Sequence, residues 1–151
     1  MNSRAWKILF FCYIFLLLSF VVFKFNESFV DRIISIQENR NQGYWNYNLT
    51  PFRSIKSYLR NINSDYVLFN VLGNIVPFVP LGFFISGLTR IRRKYVTSVV
   101  CLASIVGIES LQFITMLGYF DVDDIILNFV GCLIGISMYD LIRYIKIRAQ
   151  L

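Results

Sequence analysis

Histidine is missing from all 151 residues, which removes the commonest metal-ligating side chain and the usual general base near neutral pH. Cysteine is scarce in chemical terms. Cys12, Cys101 and Cys132 each lie inside an apolar run with no CxxC neighbour, so neither a disulfide framework nor a cysteine zinc site is indicated, and the three read as apolar filler. An uninterrupted basic stripe is also lacking. The net charge is +6, but the basic residues sit between or beside long apolar runs, which argues against nucleic acid as a partner. Any chemistry must rest on carboxylates, amides and arginines.

What is abundant is apolar surface. The chain is 56% hydrophobic and 17% aromatic, more than a soluble domain of this size can bury in one core. A bilayer must therefore serve as part of its solvent. Apolar runs at 8–25, 67–88, 95–117 and 125–144 are each about 20 residues long, enough at ~1.5 Å rise per residue to cross the hydrocarbon layer. The first could imitate a signal peptide, yet Val21-Val22-Phe23-Lys24-Phe25 offers no small-residue cleavage pattern, so a retained helix is expected. There is no internal repeat. The expectation is one domain over 1–151, an all-α membrane protein built as a bundle of four transmembrane helices.

The short connections set the orientation. Arg4 and Lys7 precede the first run, Arg90, Arg92, Arg93 and Lys94 join the second to the third, and Arg143, Lys146 and Arg148 follow the fourth. These are alternate connections, so both termini are expected in the cytoplasm. The turn between the third and fourth runs has no basic residue and carries Asp121, Asp123 and Asp124, as suits the outer face.

The long connection 24–66 should lie outside and be ordered in part. Thr50-Pro51 reads as a helix start, with Thr50 capping and Pro51 first in the helix. Phe52, Ile55, Leu59 and Ile62 recur at helical spacing, with Arg53, Lys56 and Arg60 largely opposite. This predicts a short amphipathic helix on the outer membrane surface, anchored by Tyr44, Trp45 and Tyr47. The alternative is a loop packed against the spans.

Polar residues inside the spans mark the candidate site. Asn70 and Asn74 share a helix face, followed by Pro77, Pro80 and Gly82; Glu109 and Gln112 share another; Asp121, Asp124 and Asn128 lead into Gly131 and Gly135. The prolines free backbone carbonyls that only protein or a cavity can satisfy in a bilayer, and the glycines permit close helix contact. With the third span running outward, Glu109 lies ~12 Å, Asn74 ~10 Å and Asn128 ~5 Å below the outer boundary. Three helices thus converge on one depth. That predicts a polar pocket open to the outside, or else a set of hydrogen bonds that merely fixes the bundle.

The same blocks carry a family likeness. Asn48-Leu49-Thr50-Pro51-Phe52, the run Asn70 to Gly82, Glu109-Ser110-Leu111-Gln112, and Asp121 to Asn128 with Gly131 and Gly135 resemble the VanZ-like family of bacterial membrane proteins. The resemblance implies low-level resistance to teicoplanin-type glycopeptides and a multi-pass place in the bacterial cytoplasmic membrane. Many members have an arginine shortly before the first aspartate of the last block, where this chain reads Leu117-Gly118-Tyr119-Phe120. Either Arg53 or Arg60 takes over its role, or the site is altered.

No reaction follows from the resemblance, so two readings stay open. In one, Asn70, Asn74, Gln112 and Asn128, with Arg53 as anion partner, bind a lipid-linked wall precursor or the glycopeptide among membrane lipids. In the other, an intramembrane enzyme acts on a phosphorylated or glycosylated lipid, with Glu109 as base and Asp121 and Asp124 able to hold a divalent cation. No cofactor is otherwise expected, and a transporter is disfavoured unless the protein oligomerises.

Overall fold

A backbone in hydrocarbon must satisfy its own hydrogen bonds, and the apolar runs do so as helices. The computed structural model of the protein describes residues 3–23, 28–60, 65–88 and 94–150. Among these residues four helical stretches are long and apolar enough to cross a membrane: Arg4–Val22, Val67–Leu88, Lys94–Thr115 and Val122–Arg148. The chain is an all-α, multi-pass membrane protein. Lys24, Phe25, Ile62, Arg90, Arg92 and Arg93, invoked above for boundaries, the amphipathic face and orientation, lie outside the described residues.

In chain order the elements are α1 (Ser3–Phe23), α2 (Phe29–Asn41), β1 (Tyr47–Asn48), α3 (Arg53–Arg60), α4 (Asp65–Ile75), α5 (Val79–Leu88), α6 (Lys94–Thr115), β2 (Phe120–Asp121) and α7 (Val122–Arg148). α1 begins earlier than the apolar run, so Trp6 and Lys7 belong to the helix. α7 begins three residues before its expected start because Asp121 caps it, accepting the Asp123 N–H at 2.8 Å.

Between α4 and α5 a single 3₁₀ turn, Val76–Phe78, absorbs the prolines. Pro80 has no N–H for the Val76 carbonyl, and the Val79 N–H takes it instead. The Pro77 carbonyl accepts from the Tyr13 hydroxyl of α1 at 2.7 Å. The irregular turn therefore faces protein.

Its other flank meets the glycines of α7. A Cβ on Gly131 would fall on the Ile75 carbonyl and one on Gly135 on the Val79 carbonyl; in return Gly82 lies against the Cys132 backbone. Backbones that approach this closely can touch only through glycine. Around this contact the core is filled by Leu17 and Val21 of α1, Phe78, Leu81 and Ile85, Cys101 and Ile105 of α6, and Cys132 and Ile136 of α7. Cys101 and Cys132 are free thiols there. Large apolar side chains such as Phe11, Phe15, Leu72, Val99, Leu111 and Leu141 remain exposed along the spanning helices, as lipid contact requires.

α2 has no counterpart in the apolar pattern. Ser28 caps it, its hydroxyl accepting the Asp31 N–H and donating to the Asp31 carboxylate, a variant of the capping box. The chain then turns at Gly43 (φ 88°) and forms a two-residue parallel pairing, Tyr47 with Phe120 and Asn48 with Asp121. The long connection is thereby stitched to the turn between α6 and α7.

Candidate functional site

The site grows from the first turns of α7, where three aspartates point to three different places. Asp121, besides capping its own helix, accepts from the Asn48 amide at 3.1 Å and the Ser54 hydroxyl at 2.7 Å. Asp123 is fully buried and reaches across to another helix. Its carboxylate accepts the N–H groups of Phe52 at 2.5 Å, Ser54 at 2.7 Å and Ile55 at 3.2 Å, the orphan donors at the start of α3. Asp124 faces inward and accepts from the Asn74 amide of α4 at 2.5 Å.

One turn further, the Asn128 amide donates to Glu109 Oε1 of α6 at 3.1 Å. All four groups sit in the bundle: Asn74 is 4% exposed, Glu109 3% and Asn128 2%. Because Asp124 and Asn128 are four apart on one helix, the two acid–amide pairs stack along α7. Asn128 Oδ1 is buried without a hydrogen-bond partner among the described residues. Asn70 is also buried, one turn before Asn74. Gln112 is half-buried beside Gly118, and its backbone carbonyl accepts the N–H groups of Leu117 and Gly118.

The amphipathic helix starts later than Thr50-Pro51 predicts. The Thr50 N–H donates to Asn48 Oδ1, Phe52 takes a left-handed φ of 63°, and α3 begins at Arg53. The chain must turn there to aim its free N–H groups at Asp123, so the cap comes from α7 and not from Thr50. α3 buries no residue. Ile55, Tyr58 and Leu59 line an apolar crevice with Val67, Leu68, Val71 and Leu127. Arg53, Lys56 and Arg60 line an open groove on the opposite side, and among the described residues Arg53 and Arg60 form no ion pair.

Arg32 reaches Leu117 in the segment before Asp121 and Arg40 reaches Phe113 near the end of α6, while among the described residues Arg53 and Arg60 make no ion pair there. Arg40 donates twice to Asn46 Oδ1, at 2.8 and 2.6 Å, and to the Phe113 carbonyl at 2.7 Å. It also lies over the rings of Trp45 and Phe113, 5.3 and 4.9 Å from their centroids. Buried Arg32 donates to the carbonyls of Leu117 and Val22. Asn46, also buried, gives its amide to the Gly118 carbonyl at 2.6 Å. Two cations thus sit where α6 ends and its dipole is negative. Trp45 and Tyr47, read above as interfacial anchors, pack on Phe113.

Arg32, Arg40, Asn46 and the role of Asp123 escaped the sequence reading. The one available signal was Ser28-Phe29-Val30-Asp31 as a helix start. No match to the chain was found among curated proteins or among solved structures. A family model described as VanZ/LLP1 matches residues 10–143. That stretch takes in the acid-rich end, the loop that covers it and the spanning helices beneath, and the chain belongs to the VanZ-like family.

Proposed function

We propose that this VanZ-like protein guards the bacterial envelope against glycopeptides of the teicoplanin type. In this reading both termini are cytoplasmic and the acid-rich end faces outward, where it engages a lipid-linked wall precursor or the glycopeptide. The observation that carries it is the pair of hydrogen bonds from Asn74 to Asp124 and from Asn128 to Glu109, one above the other at one end of the bundle. Ionisable groups inside a span are costly and are mostly retained for function. The covering helix supports the same reading. α3 turns Ile55, Tyr58 and Leu59 to an apolar crevice and Arg53, Lys56 and Arg60 to the opposite side, the amphipathy of a helix lying among headgroups.

An enzyme using Glu109, Asp121 and Asp124 together is the weaker reading. Asp121 faces Asn48 and Ser54 while Asp124 faces Asn74, so the two would have to leave these partners to share a cation.

The test is Glu109→Gln expressed in a sensitive host, with membrane abundance measured beside the inhibitory concentrations of teicoplanin and vancomycin. The parent chain should raise the teicoplanin value more than the vancomycin value. Glutamine preserves shape and an acceptor for Asn128, so normal abundance with lost protection is the expected result. Full protection by the variant, or none by the parent, would remove the basis of the proposal.

A further inference from the structure

A cavity lies at the other end of the bundle from Asp121, where α1 and α5 meet the last turns of α7. It is a crevice of about 760 Å³, within the range of small-ligand sites. Its lining combines two chemistries. Trp6, Phe83 and Tyr139 form an aromatic cluster, with ring centroids 5.7 Å apart for Trp6 and Phe83, 6.4 Å for Trp6 and Tyr139, and 5.6 Å for Phe83 and Tyr139. The indole is held in place by its N–H donating to the Phe84 carbonyl at 3.4 Å, and Gly87 leaves the space it occupies. The same lining carries three basic residues, Lys7, Arg143 and Lys146. None of these three forms an ion pair among the described residues; the one acid nearby on α7, Asp140, is engaged by Lys94 at 2.8 Å.

Three unneutralised cations beside an aromatic wall, at the level where the spanning helices leave the hydrocarbon, ask for a ligand with an anionic head and an apolar body. Aromatic rings favour that boundary, and basic side chains there attract anionic headgroups. A free phosphate would answer the cations and leave the rings uncovered. We propose that the crevice binds one anionic phospholipid, its phosphate on Lys7, Arg143 and Lys146 and its glycerol and first acyl carbons on Trp6, Phe83 and Tyr139. This is independent of the function assigned to the acid-rich end.

The molecule carries its own reporter, since its only tryptophans are Trp6 and Trp45. The full chain with Trp45→Phe, in phosphatidylcholine vesicles containing a minor fraction of acyl-brominated lipid, reads contact at Trp6. At equal fraction, brominated phosphatidylglycerol should quench Trp6 as though about tenfold enriched there over brominated phosphatidylcholine. The combined Lys7→Gln, Arg143→Gln and Lys146→Gln variant should remove that preference. Equal quenching by the two lipids, a preference that survives the triple substitution, or its abolition by millimolar inorganic phosphate would each overturn the proposal. A readout needing no variant is the lipid retained by the unsubstituted protein in detergent. Anionic lipid enriched over the source membrane is expected, and lipid in the membrane's own proportions would count as refutation.

Discussion

Replacing Asp123 with alanine should release α3 while leaving the spanning helices assembled. α3 is eight residues long and buries no side chain, well short of the length at which a helix holds in water by itself. Its start is held by the Asp123 carboxylate, which accepts the N–H groups of Ser54 and Ile55 and that of Phe52 just before the helix, alongside the bond from the Ser54 hydroxyl to Asp121. At about 1 kcal/mol net for each bond, plus up to about 1 kcal/mol for a negative charge at a helix N-terminus, the loss is about 3–4 kcal/mol. Tenfold in an equilibrium corresponds to about 1.4 kcal/mol, so amide exchange over residues 53–60 should quicken by at least about 100-fold. Hydrogen exchange read by mass spectrometry on protein in lipid nanodiscs measures this directly. Asp123→Asn, which keeps one acceptor oxygen and loses the charge, should fall between. Unchanged exchange in α3 of the alanine variant would refute the reasoning. So would equal acceleration across α4 to α7, because the carboxylate would then be holding the whole bundle.

Gly135→Val would drive side-chain atoms into the Val79 carbonyl, whereas Gly107 has open space around its Cβ position. The first should cost at least about 1–3 kcal/mol and lower the thermal midpoint of the detergent-solubilised protein, while Gly107→Ala should leave the midpoint unchanged. Arg40→Lys keeps the charge but loses the planar fork that reaches Asn46 Oδ1 twice and the Phe113 carbonyl once. Its expected cost of about 1–3 kcal/mol should appear as faster exchange over residues 113–121 and as red-shifted Trp45 emission in a Trp6→Phe background.

The spanning helices were legible in the sequence because hydropathy over some 20 residues is a local property, set by the side chains of each run and by the backbone's need to bond to itself in lipid. The same holds for the close contact of Gly131 and Gly135, since few arrangements other than a crossing backbone call for two glycines one turn apart. Which acid meets which amide was a tertiary matter. Asp121, Asp123 and Asp124 are near neighbours in sequence, yet one binds the loop, one caps α3 and one meets α4, because successive helical residues point about 100° apart. α2 escaped because its inner face carries Arg32, Ile36 and Arg40 in place of an apolar stripe. Those arginines hold the end of α6, whose carbonyls have no signature in sequence until the fold brings the two helices together. Hydropathy decided that the chain crosses a membrane; the partners of its buried charges depended on contacts spanning up to 85 positions, beyond the reach of any local pattern.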